Sequence, residues 1–189
     1  MPDNVSLCEL KCIQRHKNSC THAISSTIAN KNKGPTIVFC NYTQCVKRVT
    51  SALSILNSND NDIFNTTMHA SHGNMQQKSR LQALEYMSKN AKDDGNNNNA
   101  MLVSTDVASR GIDVPSMSTI TYYDVTHTVD MFMHRTGLTA RRINAYNQDE
   151  CKIISIISPG KEEERYEILL SMLSKNKFQS IRLNSNVLK

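Results

Sequence analysis

Short apolar runs separated by amphipathic stretches of helical period repeat along this chain, and that alternation limits the folds open to it. Thr36–Cys40, Thr66–His69, Met101–Ser104, Ser118–Tyr123, Cys151–Ser158 and Phe178–Leu183 carry strand character, rich in Val, Ile, Thr and Tyr. Between them, Gln44–Leu56 places Val46, Val49, Leu53 and Leu56 on one helical face, and Gln76–Ser88 does the same with Leu81, Leu84 and Met87. Val129–Thr136 and Glu162–Leu173 complete the set of helices. Strands this apolar need cover on both faces, and a crossover of a dozen or more residues returns the chain parallel to where it started. The pattern therefore predicts an α/β fold: a single domain with a doubly wound, mostly parallel sheet and helices on both faces.

At 189 residues the chain can bury one good core but not two. Residues 1–33 precede the regular alternation, are rich in Asn, Ser and Lys, and are expected to form an N-terminal linker or adapting segment. The domain is expected over 34–175, with residues 176–189 as a tail. DDGNNNN at Asp93–Asn99 is an exposed loop on composition, 93–99 being low in complexity. A net charge of +5, from 22 Lys and Arg against 17 Asp and Glu, favours anionic partners mildly.

There is no apolar run of 18 residues, and no basic start leading into an apolar core. The expectation is an intracellular chain that is not secreted and has no membrane partner. Cys8, Cys12, His16, Cys20 and His22 crowd the N-terminus, yet they form no Cys-x-x-Cys knuckle, and a spacing of four also suits a half-buried helix. No metal site is expected, and the six cysteines are expected to be reduced and packed.

In open parallel sheets ligands sit beyond the carboxyl ends of the strands, so polar clusters placed there are informative. Three occur. VSTDVASRGIDV at Val103–Val114 runs from a buried strand into Thr105, Asp106, Arg110, Gly111 and Asp113. HASHGNMQQKSR at His69–Arg80 follows a strand end with Gly73 and then sets Gln77 and Arg80 one helical turn apart, a pair able to grip a phosphate together with the helix dipole. MHRTGLTARR at Met133–Arg142 packs His134, Arg135, Arg141 and Arg142 into ten residues, and guanidinium groups can meet phosphates bidentately. No Gly-x-x-x-x-Gly-Lys-Ser/Thr loop and no acidic tetrad after a strand are present to cradle a triphosphate or hold magnesium.

In order and spacing these segments resemble the second RecA-like domain of a DEAD-box RNA helicase, across about Pro35 to Leu173. PTIVFCN (Pro35–Asn41) resembles motif IV, GNMQQKSR (Gly73–Arg80) motif IVa, STDVASRGIDV (Ser104–Val114) motif V and HRTGLTAR (His134–Arg141) motif VI. The resemblance implies that Thr105, Gln77 and Arg80, with Gly73 in the turn before them, hold an RNA backbone without reading bases. It implies ATP as cofactor, its Mg2+ held by a first domain absent from this chain. Gly111, Asp113, Arg110 and Arg135 would be on the ATP side and Arg141 would serve as the arginine finger. Arg110 would also tie motif V to the first domain. His134 would link to the acidic motif across the cleft, and Phe39 would pack beneath motif VI. The implied partners are RNA, the N-terminal RecA-like domain of the same enzyme and pre-ribosomal proteins. CNYTQCVKRVTSAL (Cys40–Leu53) and the Thr-Ala-Arg ending of motif VI resemble the nucleolar helicases of large ribosomal subunit assembly. The implied location is the nucleus, in the nucleolus.

Two departures qualify the likeness. The family usually reads HRIGRTGR, and this chain has Leu138 for an arginine and Ala140 for the second glycine. Leucine cannot stabilise phosphoryl charge, and an arginine finger is worth about 10³–10⁵ in rate. The alternatives left standing are a non-catalytic RNA- or protein-binding module derived from a helicase, and a related helicase domain acting on DNA.

Overall fold

The computed structural model describes residues 5–31, 35–59, 66–92, 99–106, 119–140, 151–173 and 180–182. In chain order these form β1 (Val5–Lys11), a short 3-10 turn (Gln14–His16), α1 (Lys17–Lys31), β2 (Thr36–Phe39), α2 (Thr43–Asn59), β3 (Thr66–Ser71) and α3 (Gln77–Lys92). There follow β4 (Asn99–Ser104), β5 (Thr119–Tyr122), α4 (Val129–Ala140), β6 (Cys151–Ile157), α5 (Lys161–Leu173) and β7 (Ser180–Arg182). The strands make one sheet of order β3-β4-β2-β5-β6-β1-β7. Every pairing in it is parallel.

β2 lies between β4 and β5, with Phe39 level with Ser104 on one side and Tyr122 on the other. Its alternate residues serve opposite faces, as the two-residue period of a strand requires. Ile37 and Phe39 pack with Leu84 and Met87 of α3, Phe132 of α4 and Leu169 and Leu173 of α5. Val38 and Cys40 pack with Cys45, Val46, Val49 and Leu53 of α2. Further along that second face, Cys20 and Ile24 of α1 cover Cys8, Leu10, Ile154 and Ile156. Among the described residues two helices thus cover one face and three the other, which is the doubly wound arrangement the alternation predicts. Among the described residues no helix is long and apolar enough to cross a membrane.

The elements from Thr36 onward lie where the periodicity puts them, with ends shifted by a few residues. Three expectations are corrected. The segment 1–33, expected as a linker, supplies β1 and α1, and β1 is an interior strand hydrogen-bonded to β6 on one side and β7 on the other. β7, within the run Phe178–Leu183 expected as a strand, carries the sheet past the domain end expected at 175. Leu81, expected on the buried face of α3, is exposed, and Ala83 takes a core position there with Leu84 and Met87. Of the loop expected at 93–99, residues 93–98 lie outside the described residues and Asn99 opens β4.

The Gln14–Lys17 corner is fastened by a buried lysine. Lys17 Nζ donates to the Tyr123 carbonyl at 2.8 Å and to both carboxylate oxygens of Glu162 at 2.8 and 2.6 Å. Glu162 in turn accepts from the backbone N–H groups of Val125 and Ser158, capping the start of α5. Lys11 pairs with Glu163 at the surface nearby.

Deleting residues 1–12 removes an interior strand and is expected to abolish cooperative urea unfolding; a truncated chain with an unchanged midpoint would show β1 to be dispensable. Within α2, Leu53→Ala is expected to lower stability by about 2–5 kcal/mol. Ile55→Ala, at an exposed site two residues on, should change it by no more than about 0.5 kcal/mol in the same measurement.

Candidate functional site

β2, β4 and β5 end side by side, so the residues just past them, Cys40–Asn41, Thr105–Asp106 and Tyr123–Val125, form one rim at the carboxyl edge of the sheet. The backbone knits this rim together: Cys40 N–H donates to the Ser104 carbonyl at 2.9 Å and Tyr123 N–H to the Phe39 carbonyl at 3.0 Å. Arg135, on the second turn of α4, reaches into the rim and is fully buried. Its Nε and Nη2 donate to the two carboxylate oxygens of Asp106 at 2.5 and 2.7 Å, and Nη2 also donates to Asn41 Oδ1 at 3.0 Å. The guanidinium lies over the Phe39 ring at 4.9 Å and the Tyr122 ring at 5.6 Å. A buried cation needs this much compensation, because desolvation alone would expel it.

Asn41 is the second member of this bracket. Its backbone N–H donates to Asp124 Oδ2 at 2.9 Å and its Nδ2 to the Val125 carbonyl at 2.8 Å. Tyr122 braces α4 from below, its hydroxyl lying 3.2 Å from the Phe132 carbonyl and 3.0 Å from Thr136 Oγ1. Burial pushes the Tyr122 phenol above its usual range, so it stays protonated. Segments separated by up to 94 residues in sequence are thereby held in one cluster.

The end of β3 adjoins the same rim. Thr105 N–H donates to the Ser71 carbonyl at 3.2 Å, and the chain then turns through Gly73 and Asn74 into α3, with Met75 N–H on the His72 carbonyl at 3.0 Å. Gly73 and Gln77 are exposed and Arg80 half-buried, one turn into α3, while Thr105 is 6% exposed. The residues assigned to RNA thus sit on neighbouring strand ends. Arg80 Nε is buried and has no hydrogen-bond partner among the described residues.

The nucleotide-side residues divide differently. Arg135, expected on ATP, is instead sealed between Phe39, Tyr122 and Asp106, and no part of it is open to a ligand. His134, its neighbour in sequence, is exposed on a different face of α4. Arg110, Gly111, Asp113 and Arg141 lie outside the described residues, as does the side chain of Leu138. Asn41 and Asp106, quoted within motifs but given no role, are the residues that sequence reasoning missed. Their signal was position: each is a short polar residue one or two places past a fully buried strand.

Comparison with known proteins gives the following. Residues 17–143 match the family described as helicase conserved C-terminal domain. The chain is 38% identical over 130 residues to the ATP-dependent RNA helicase mak5 of Schizosaccharomyces pombe, which covers 69% of this chain and 17% of that protein. It is 36% identical over 111 residues to the ATP-dependent RNA helicase DDX24 of Homo sapiens, covering 59% of this chain and 11% of that protein. The chain therefore spans less than a fifth of the length of these relatives. Among solved structures, the C-terminal domain of the DEAD-box protein Dbp5 superposes with a TM-score of 0.69 at 16% identity, covering 95% of this chain and 91% of that one. The DEAD-box protein SrmB of E. coli, solved with the regulator of ribonuclease activity A, superposes at 0.68 with 20% identity, covering 100% and 95%.

Removing one partner of the buried pair leaves the other charge uncompensated. Asp106→Asn is therefore expected to cost about 3–5 kcal/mol of folding stability in urea, while Asp106→Leu combined with Arg135→Met costs less than either single change. A single variant as stable as the parent would contradict the pairing. Burial holds His69 below the usual histidine range, and burial together with Lys47 does the same for His72. The folded state therefore resists protonating them, and stability should fall as pH drops below about 6.5, the unfolded value. Replacing both with Gln should remove that part of the pH dependence.

Proposed function

Because the chain belongs to the helicase conserved C-terminal domain family and has the RecA-like fold of DEAD-box C-terminal domains, we propose that it is the second half of an ATP-dependent DEAD-box RNA helicase acting in ribosome assembly. It holds single-stranded RNA by the backbone and completes an ATP site against a first RecA-like domain. The observation that carries this reading is the Arg135 bracket, which joins the segments resembling motifs IV, V and VI at the carboxyl edge of one parallel sheet. Ligands of open α/β sheets bind at that edge. The nucleolus as location and pre-ribosomal proteins as partners rest on the Thr-Ala-Arg ending and on the likeness to the mak5 and DDX24 helicases.

The division of labour follows from the chemistry of each group. Gln77 and Arg80, on the first turn of α3, offer an amide, a guanidinium and a helix N-terminus to consecutive phosphates, and the Thr105 hydroxyl meets the same strand from the end of β4. These contacts carry no base code, so the RNA is chosen by shape and by partners. Arg135 does not touch nucleotide in this account. It is a positioning residue that fixes the start of the segment resembling motif V, at Asp106, relative to α4. ATP and Mg2+, when bound, would supply the phosphoryl-transfer chemistry.

Leu138 favours a second reading, a helicase-derived module that binds RNA without turning over ATP. The two are separated by measurement. The chain alone is expected to show no ATP hydrolysis, and a rate that survives Arg141→Ala would remove Arg141 from its assigned role. Single-stranded RNA should bind with strong salt dependence, and Arg80→Ala should weaken it and lower the slope of log K against log salt by about 0.7. Binding unchanged by Arg80→Ala and Thr105→Val would sink the backbone grip. Joined to a first RecA-like domain, an RNA-stimulated ATPase supports the helicase, and RNA binding with no ATPase supports the module.

A further inference from the structure

Directly beneath the Arg135 bracket three metal-ligating side chains converge that the helicase reading does not use. Cys40 follows β2, Cys45 lies on the first turn of α2, and Asp124 follows β5. Their two sulfurs and a carboxylate oxygen all lie within 4.8 Å of one another. Cys40 and Cys45 are buried and Asp124 half-buried, so the cluster is closed on the core side and reached from the Asp124 side.

We propose that Cys40, Cys45 and Asp124 form a three-ligand site for a soft divalent cation of the zinc class, which locks Asn41 and through it the Arg135 bracket. Tetrahedral zinc with sulfur and oxygen ligands at about 2.0–2.3 Å sets its ligand atoms roughly 3.5–3.8 Å apart. From separations of at most 4.8 Å, the cluster closes on a metal by a contraction of about 1.3 Å or less. The surroundings supply what such a site needs in addition to its ligands. Asp124 is already oriented, because its Oδ2 accepts the Asn41 N–H at 2.9 Å. Arg48 Nη2 stands 3.7 Å from Cys45 Sγ and can donate to the metal-bound thiolate. Charge balances as well: two thiolates and a carboxylate carry three negative charges, against two positive on the cation and one on Arg48.

The coupling follows from connectivity. Asn41 is covalently next to one ligand, Cys40, and bonded through its backbone N–H to a second, Asp124, while its side chain holds Arg135 and the Val125 carbonyl. Metal binding therefore tightens both sides of the residue that joins the ends of β2 and β5 to α4. The proposal does not depend on RNA or ATP binding, so its failure leaves the helicase reading untouched, and the reverse also holds.

The test is a titration of the reduced 189-residue chain with Cd2+, read by the ultraviolet thiolate-to-metal charge-transfer band, with Zn2+ as competitor. One equivalent is expected to bind and to raise the midpoint of thermal unfolding in proportion to log concentration. Loss of an outer partner alone costs about 10–100-fold in affinity, so Cys45→Ser should weaken binding by on the order of 100-fold or more. Asp124→Asn keeps an oxygen for the Asn41 N–H and should weaken binding while leaving the metal-free chain folded, which guards against a Cys45→Ser variant that fails to fold. Cys12→Ser with Cys20→Ser, on the neighbouring thiol pair, should leave the band intact. Absence of the band, its survival at full strength in both Cys45→Ser and Asp124→Asn, or its loss with Cys12 and Cys20 would each overturn the proposal.

Discussion

A guanidinium with no exposure to water is the constraint around which the carboxyl edge of this sheet is organised. Arg135 can stay charged there only if acceptors and aromatic faces replace its hydration. Asp106 just past β4, Asn41 just past β2 and the Phe39 and Tyr122 rings do so for Nε, Nη2 and the guanidinium face, while the buried Nη1 has no hydrogen-bond partner among the described residues. None of these groups would suffice alone, so the ends of three strands and one helix have to meet in a single geometry. Apolar packing makes the domain compact, but it would tolerate small slips between layers; a bidentate pair at 2.5 and 2.7 Å tolerates far less. The buried pair thus adds specificity of arrangement at the carboxyl edge of the sheet.

A second buried cation, Lys17, does related work farther along the same carboxyl edge. Lys17 and Glu162 join the start of α1 to the start of α5, and Glu162 extends the tie to Val125 in the loop after β5. Val125 also receives Asn41 through its carbonyl. The loop at Tyr123–Val125 therefore lies between two ion-pair systems, one anchored in α1 and α5, the other in α4 and β4. This places the first helix of the chain, which touches no assigned ligand, in structural connection with the candidate site.

Much of this was legible in the sequence, and the exceptions have physical causes. β2, β4 and β5 were visible because strands buried on both faces must be nearly continuous in apolar or β-branched residues, and TIVF and TITY can be little else. β1 and α1 were not. In α1 the buried face carries Thr21 and Ser25 beside Cys20 and Ile24, and those hydroxyls are satisfied by the helix's own carbonyls, Thr21 on Lys17 at 2.7 Å and Ser25 on Thr21 at 2.8 Å. Such residues read as loop because their polarity is settled only once the helix exists. The candidate site was half legible for a similar reason: residue order revealed the RNA-side cluster, but that Arg135 faces Asp106 instead of a ligand depends on a contact 29 residues apart that no local pattern encodes.

The position of β1 also has a consequence for how the chain is made. Its hydrogen-bonding partners are β6, beginning at Cys151, and β7, beginning at Ser180, so β1 must wait for both of these later strands before it can complete its pairing. Contacts of such long sequence separation form slowly. During synthesis the pairing groups of Val5–Lys11 stay open while β2 to β5 can already assemble. β1 thus keeps its pairing groups open until β6 and β7 are made, and an unpaired strand of this kind is a place where misassembly can begin.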